Sequence, residues 1–129
     1  MTGWASALLL VGVVAVPGWT APAPAADVVA RNLAENVLGQ GTVQRVRVSV
    51  DGTVIDIAWE AVLYRPTQTV QKNREQLRAE AELATGSIMG VMRPQVITFA
   101  MLLGRRALAT GRGTREGELT ITYAPELGG

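Results

Sequence analysis

The order of hydrophobic periodicities along this chain predicts an α+β fold, a two-layer sandwich. Three observations carry it: strand-period alternation on both sides of Asp51-Gly52, a long helix-period stretch ending at Pro94, and renewed alternation from Val96 to Tyr123. A shorter helical stretch precedes the first alternation. The element order is therefore helix, hairpin, long helix, then two or three antiparallel strands. Each element has one apolar face to bury, so both helices are expected on one face of an antiparallel sheet.

Asp27 to Leu38 reads as the first helix, with Asp27 as N-cap, Val29, Leu33 and Val37 recurring at i+4, and Gly39 ending it. Val43 to Tyr64 reads as a hairpin. Val46, Val48 and Val50 alternate with Arg45, Arg47 and Ser49; Ile55, Ile57, Trp59, Ala61 and Leu63 alternate with Asp56, Ala58, Glu60 and Val62. Asp51-Gly52 suits a two-residue type I′ turn. That turn sets Val48 opposite Ile55, Val46 opposite Ile57 and Arg47 opposite Asp56, with Arg45 diagonal to Glu60. Apolar pairs then share one face and opposite charges the other.

Thr67 or Thr69 is placed to cap a long helix from Val70 to Arg93, which Pro94 stops. Val70, Leu77, Ala81, Ala84, Ile88 and Val91 form its apolar stripe, and Arg74, Glu75, Arg78, Glu80 and Glu82 read as a solvated face. Gly86 and Gly90 are expected to weaken the last third, with a kink or early fraying near Gly86, while letting it approach the sheet closely. Val96 to Leu103 is a strand with Ile97, Phe99, Met101 and Leu103 on one face. Gly104-Arg105 suits a type II′ turn that returns Arg106 to Thr110 with Met101 opposite Leu108; the alternative is a bulge at Gly104 with the strand running on. Gly111 to Gly117 reads as a connector, and Leu119, Ile121 and Tyr123 against Thr120 and Thr122 as the last strand. The outer face of the sheet would carry Arg45, Arg47, Asp56, Glu60, Thr120 and Thr122.

The N-terminal stretch differs in kind. Met1 to Ala26 has no charged side chain, Ala5 to Trp19 is apolar, and Ala23-Pro24-Ala25 supplies small residues for a peptidase cleft. Residues 1–25 are expected to be a cleaved signal peptide and 26–129 a single domain, secreted or periplasmic. A retained membrane anchor is the alternative; Pro17-Gly18 interrupts the run short of the roughly 20 apolar residues that span a bilayer, which favours cleavage. Lipid attachment at a processed N-terminus needs a cysteine, and the chain has none.

Composition removes most chemistry. The chain has no His and no Cys, which excludes Cys/His and Ser/His/Asp machinery and the usual zinc, copper and haem ligands. Asp56 and Glu60 share a strand face, but four strand residues span roughly 13 Å, too far for paired-acid glycoside cleavage. They read as cross-strand partners of Arg47 and Arg45. Gly39 to Thr42 and Gly111 to Gly117 lack the Walker A lysine and its strand–loop–helix setting. No catalytic, cofactor or metal residue is therefore expected. A net charge of +1 gives no global attraction to nucleic acid.

Two surface features remain. Arg105, Arg106, Arg112 and Arg115 are a candidate anion patch at one end of the sheet, partly neutralised by Glu116 and Glu118. Val96, Thr98, Ala100 and Leu102 are a candidate interface, because a strand apolar on both faces is covered twice or covered by a partner; Val54, Ala58 and Val62 extend it. These features favour a non-enzymatic exported interaction module, with a second copy or an envelope protein as partner. A carrier of a lipid or other apolar ligand between helices and sheet is the alternative, with Ala84, Gly86 and Gly90 leaving room. An enzyme using only carboxylates and Arg ranks below both. In element order, with Asp51-Gly52 at the hairpin turn, part of the chain resembles BON-type envelope domains, which implies an envelope setting; the C-terminal hairpin departs from that pattern.

Overall fold

The computed structural model describes residues 25–128. The expected signal peptide lies outside the described residues, apart from Ala25. Helix α1 spans Ala26–Leu38, with Ala25 as N-cap and no side-chain cap bond. Asp27 sits in its first turn, where its charge complements the helix dipole, and is not the cap. The buried face is Ala30, Ala34 and Leu38, one residue round from the expected Val29, Leu33 and Val37 stripe, and Val37 is exposed. The small alanines explain the rotation. They let α1 close against α2 (Val70–Val91), where Ser87 Oγ donates to the Leu33 carbonyl at 3.0 Å.

Strands β1 (Val43–Val48) and β2 (Val54–Glu60) pair antiparallel in the expected register, Val48 with Ile55 through Arg45 with Ala58. Their connection is longer than a type I′ turn, which needs two consecutive positive φ angles. Only Gly52 has one, at +76°, and Ser49 N–H donates to the Val54 carbonyl across Val50–Thr53. The Asp51 carboxylate stiffens this loop by accepting from Ser49 Oγ and from both the N–H and Oγ of Thr53. A bulge beyond Arg45 sets Val43 opposite Trp59; Arg45 keeps its expected place opposite Ala58, diagonal to Glu60, but its guanidinium bonds Asp56 on the other diagonal and not Glu60.

Helix α2 is capped by Thr69, whose side chain accepts from Lys72 N–H. It buries Leu77, Ala81, Ala84 and Ile88, but also Asn73, Glu80 and Thr85; Val70 and Val91, at the ends of the expected stripe, are exposed. It runs without a break through Gly86. Gly86 and Gly90 lie on its exposed side, so neither brings it closer to the sheet.

Strands β3 (Val96–Leu103), β4 (Arg106–Thr114) and β5 (Leu119–Tyr123) complete a five-stranded sheet in chain order. The sheet is mixed, because β2 and β3 are parallel. The expected all-antiparallel arrangement fails there for a mechanical reason. The 22 residues of α2 carry the chain back about 33 Å, so β3 starts from the same end as β2. Gly104-Arg105 is a two-residue turn with Leu103 opposite Arg106 and Gly104 at φ +63°. A bulge at Leu108 then sets Met101 opposite Ala109, not Leu108. Gly111–Thr114 belong to β4 rather than to a connector. A Cβ on Gly111 would lie 2.2 Å from the Thr120 carbonyl oxygen and 2.6 Å from the Phe99 ring, so close packing explains this glycine.

One core joins the two helices to the sheet. Ile55, Ile57 and Trp59 of β2 and Ile97, Phe99 and Met101 of β3 meet Ala30 and Ala34 of α1 and Leu77, Ala81, Ala84 and Ile88 of α2. The Trp59 and Phe99 rings stack at 5.6 Å. The final 3₁₀ turn, Pro125–Leu127, inserts Leu127 into the same core.

Candidate functional site

Three places in this fold gather polar groups or leave surface uncovered. The first is Glu80, only 1 % exposed. Its carboxylate accepts from Trp59 Nε1 at 3.1 Å, from Val62 N–H at 3.0 Å and from Leu63 N–H at 2.6 Å. The expectation of a solvated Glu80 is thus overturned. Residue 80 falls three after Leu77 and four before Ala84, inside the buried stripe, and that spacing was the available signal. Glu80 also explains why β2 stops at Glu60 and not at Tyr64: its carboxylate captures the next free amides and turns the chain. Asn73 continues the work, accepting from Arg65 N–H and donating to the Arg65 carbonyl. Both residues are structural staples of the segment 61–65.

The second is the outer face of the sheet. Among the described residues no helix lies over it. Val96, Thr98, Ala100 and Leu102 all point this way from β3 and are half-buried by their neighbours, and Ala58 beside them is fully covered. Asp56 organises the charged flank. It accepts from Arg45 Nε at 3.0 Å, from Arg47 Nη2 at 2.9 Å and from Thr98 Oγ1 at 2.8 Å. Burial pushes this carboxyl up, but the Arg47 and Thr98 hydrogen bonds and the Arg45 charge outweigh it and hold it below the ordinary carboxylate value. Thr98 joins the pair because β3 lies beside β2 with Thr98 in register with Asp56. Glu60 instead accepts from Gly104 N–H and anchors the β3–β4 turn.

The third is a groove between α2 and the last two strands. At one end Thr85, Gly86, Met89, Gly113 and Leu119 line a cleft of about 230 Å³. At the other, Arg74 lies 4.5 Å over the Tyr123 ring, whose hydroxyl donates to the Arg74 carbonyl.

The four arginines of the candidate anion patch are not brought together. Arg105 and Arg106 stand at the start of β4, and Arg106 pairs with Glu126. Arg115 follows the other end of β4, about 27 Å away at strand rise, and donates to the Arg93 and Pro94 carbonyls. Arg112 sits mid-strand on the outer face opposite Thr98 and Thr120. Strand geometry disperses residues that are close in sequence.

Among the described residues no three His, Cys, Asp or Glu side chains gather as a metal site, and no helix is long and apolar enough to cross a membrane. No family model, curated protein or solved structure matches this chain, so the likeness to BON-type domains rests on element order alone.

Proposed function

We propose that this chain is an exported, non-enzymatic interaction module that contacts a protein partner, an envelope protein or a second copy, through the outer face of its sheet. The observation that carries the reading is β3. Its inner row, Ile97, Phe99 and Met101, is buried under the helices, yet Val96, Ala100 and Leu102 on its other side are apolar too. A central strand with two apolar faces fits a sheet covered on both sides. Asp56, the arginines around it and the threonines of β4 and β5 form a polar rim around that apolar centre, as at protein interfaces. Five strands about 4.8 Å apart make a face of roughly 24 by 20 Å, so a flat contact buries about 1,000 Å² in total, at the lower end for a specific complex. Export rests on the uncharged apolar run Ala5 to Trp19 and the small residues after it. The absence of His and Cys supports a non-enzymatic role.

A carrier of an apolar ligand has the cleft at Gly86 in its favour. Its volume of about 230 Å³ is below the roughly 300–1,000 Å³ of ligand pockets; the opening at the other end of the groove, about 420 Å³, is lined chiefly by the polar Gln71, Arg74, Glu75 and Arg78, and Ala84 is packed in the core while Gly90 faces outward. Leu102→Glu tests the interaction reading, with native mass spectrometry of protein purified from its host. The expected result is loss of the complex with the circular dichroism spectrum intact. Unchanged stoichiometry and unchanged bound material would refute it.

A further inference from the structure

The two edges of this sheet are treated differently. At β1, helix α1 takes the backbone groups of Val43: the Glu35 carboxylate accepts its N–H at 3.1 Å and the Arg31 guanidinium donates to its carbonyl. A bulge and two arginines further blunt that strand. Such devices stop an edge from pairing with another chain. β5 has none of them. Its sequence, Leu119-Thr120-Ile121-Thr122-Tyr123, contains no charge and no proline, and its ladder with β4 runs without a bulge.

The direction of its free backbone groups follows from the ladder. Ala124 N–H donates to the Leu108 carbonyl at one end, and Thr114 N–H to the Glu118 carbonyl at the other. Alternation along an antiparallel pair then turns Thr120 and Thr122 toward β4. Leu119, Ile121 and Tyr123 turn both N–H and C=O to the open edge, and among the described residues nothing pairs with them.

We infer that two copies of this chain pair through β5, antiparallel and centred on Ile121, joining their sheets into one. The strand reads nearly the same in both directions. Pairing about Ile121 sets Leu119 against Tyr123 of the second copy on the inner face and Thr120 against Thr122 on the outer face. Every cross-strand pair is then like with like in polarity. The free groups of Leu119, Ile121 and Tyr123 make about six backbone hydrogen bonds across the seam. The groove alongside carries mixed charges, Arg74 and Glu75 at its Tyr123 end, then Arg78, which pairs with Glu82 toward its Leu119 end, so no block of one sign opposes the two-fold pairing. The joined sheet leaves each outer face free, so this contact is separate from the one proposed above.

The chain has no cysteine, so one introduced thiol reports alone. Ile121 sits on the two-fold axis with its Cα about 5.5 Å from its counterpart, within disulfide range. Full-length Ile121→Cys is expected to form a covalent dimer under mild oxidation, and wild-type chain to sediment as a dimer. Thr120→Lys with Thr122→Lys sets like charges opposite each other on exposed positions and is expected to weaken the dimer at least tenfold with the fold unchanged. Mixing that protein with the Thr120→Glu, Thr122→Glu variant is expected to restore dimers of one copy of each. Absence of a cross-link at residue 121, a wild-type monomer at the highest soluble concentration, or a mixture that stays monomeric would overturn the inference. Leu102→Glu is expected to leave the cross-link intact, which separates failure of this contact from failure of the outer-face reading.

Discussion

Glu80→Ala removes, in one substitution, the acceptor for a buried indole and two backbone amides. The Trp59 indole N–H has no route to water, because Trp59 is fully buried, and leaving it unpaired costs about 1–3 kcal/mol. Val62 and Leu63 lie nearer the surface and recover part of their loss by hydration once the 61–65 segment loosens. Removing the carboxyl and a methylene also leaves a void against Leu77 and Trp59. Together these effects predict a loss of about 3–5 kcal/mol, a large share of the roughly 5–15 kcal/mol that holds a domain of this size. Glu80→Gln separates the contributions. It preserves volume and one acceptor oxygen but turns an NH₂ group toward N–H donors, and should cost about 1.5–3 kcal/mol. Urea unfolding followed by far-ultraviolet circular dichroism measures both. Val62 and Leu63 amides should also lose hydrogen-exchange protection before the core does. A Glu80→Ala protein within 0.5 kcal/mol of wild type, or a Glu80→Gln protein of wild-type stability, would refute the view that this carboxylate ends β2.

Two further substitutions probe the sheet. Gly111→Ala forces a Cβ into the Thr120 carbonyl and the Phe99 ring and should cost about 1–3 kcal/mol, whereas Gly113→Ala meets nothing nearer than 3.6 Å and should be close to neutral; urea titration of the pair checks the contrast. Asp56→Asn removes the charge and one of the two acceptor oxygens, Oδ2 serving Arg45 and Arg47 and Oδ1 serving Thr98, and the exposed arginines limit the effect to about 0.5–1 kcal/mol near neutrality. Because the folded state holds this carboxyl low, its contribution is present above the unfolded carboxylate value and fades as pH falls through the folded one. The stability difference between wild type and Asp56→Asn should therefore shrink below about pH 4, and a difference independent of pH would refute the charge assignment.

Local physics was legible in the chain itself. Period-two alternation specified which residues of 45–48 and 55–58 face each other, because a one-residue slip would send every valine to solvent. Gly104 marked a turn by its tolerance of positive φ, and Thr67 or Thr69 a cap by a short hydroxyl, of which Thr69 is the one used; Pro94 marked a stop near Arg93, but the helix ends at Val91, with Arg93 at φ +54° ahead of the proline. The alternation of Val96 to Leu103 likewise marked the apolar outer row on which the proposed interface rests. What lies across from each face was decided only in three dimensions. Glu80 and its partners are separated by 17 to 21 residues, and its polarity argued for solvent until Trp59 and two amides were brought to it. The same holds for Thr98 at Asp56, which needs β3 docked beside β2 in that register, and for Gly111, whose bareness answers to Phe99 and Thr120 on two different strands. The arginines near residue 110 went the other way: close in sequence, they were spread along β4 by its rise per residue. Periodicity assigns a side chain to a face, while the partner on that face depends on how separate elements dock, and docking responds to the volumes and hydrogen-bond needs of all of them together.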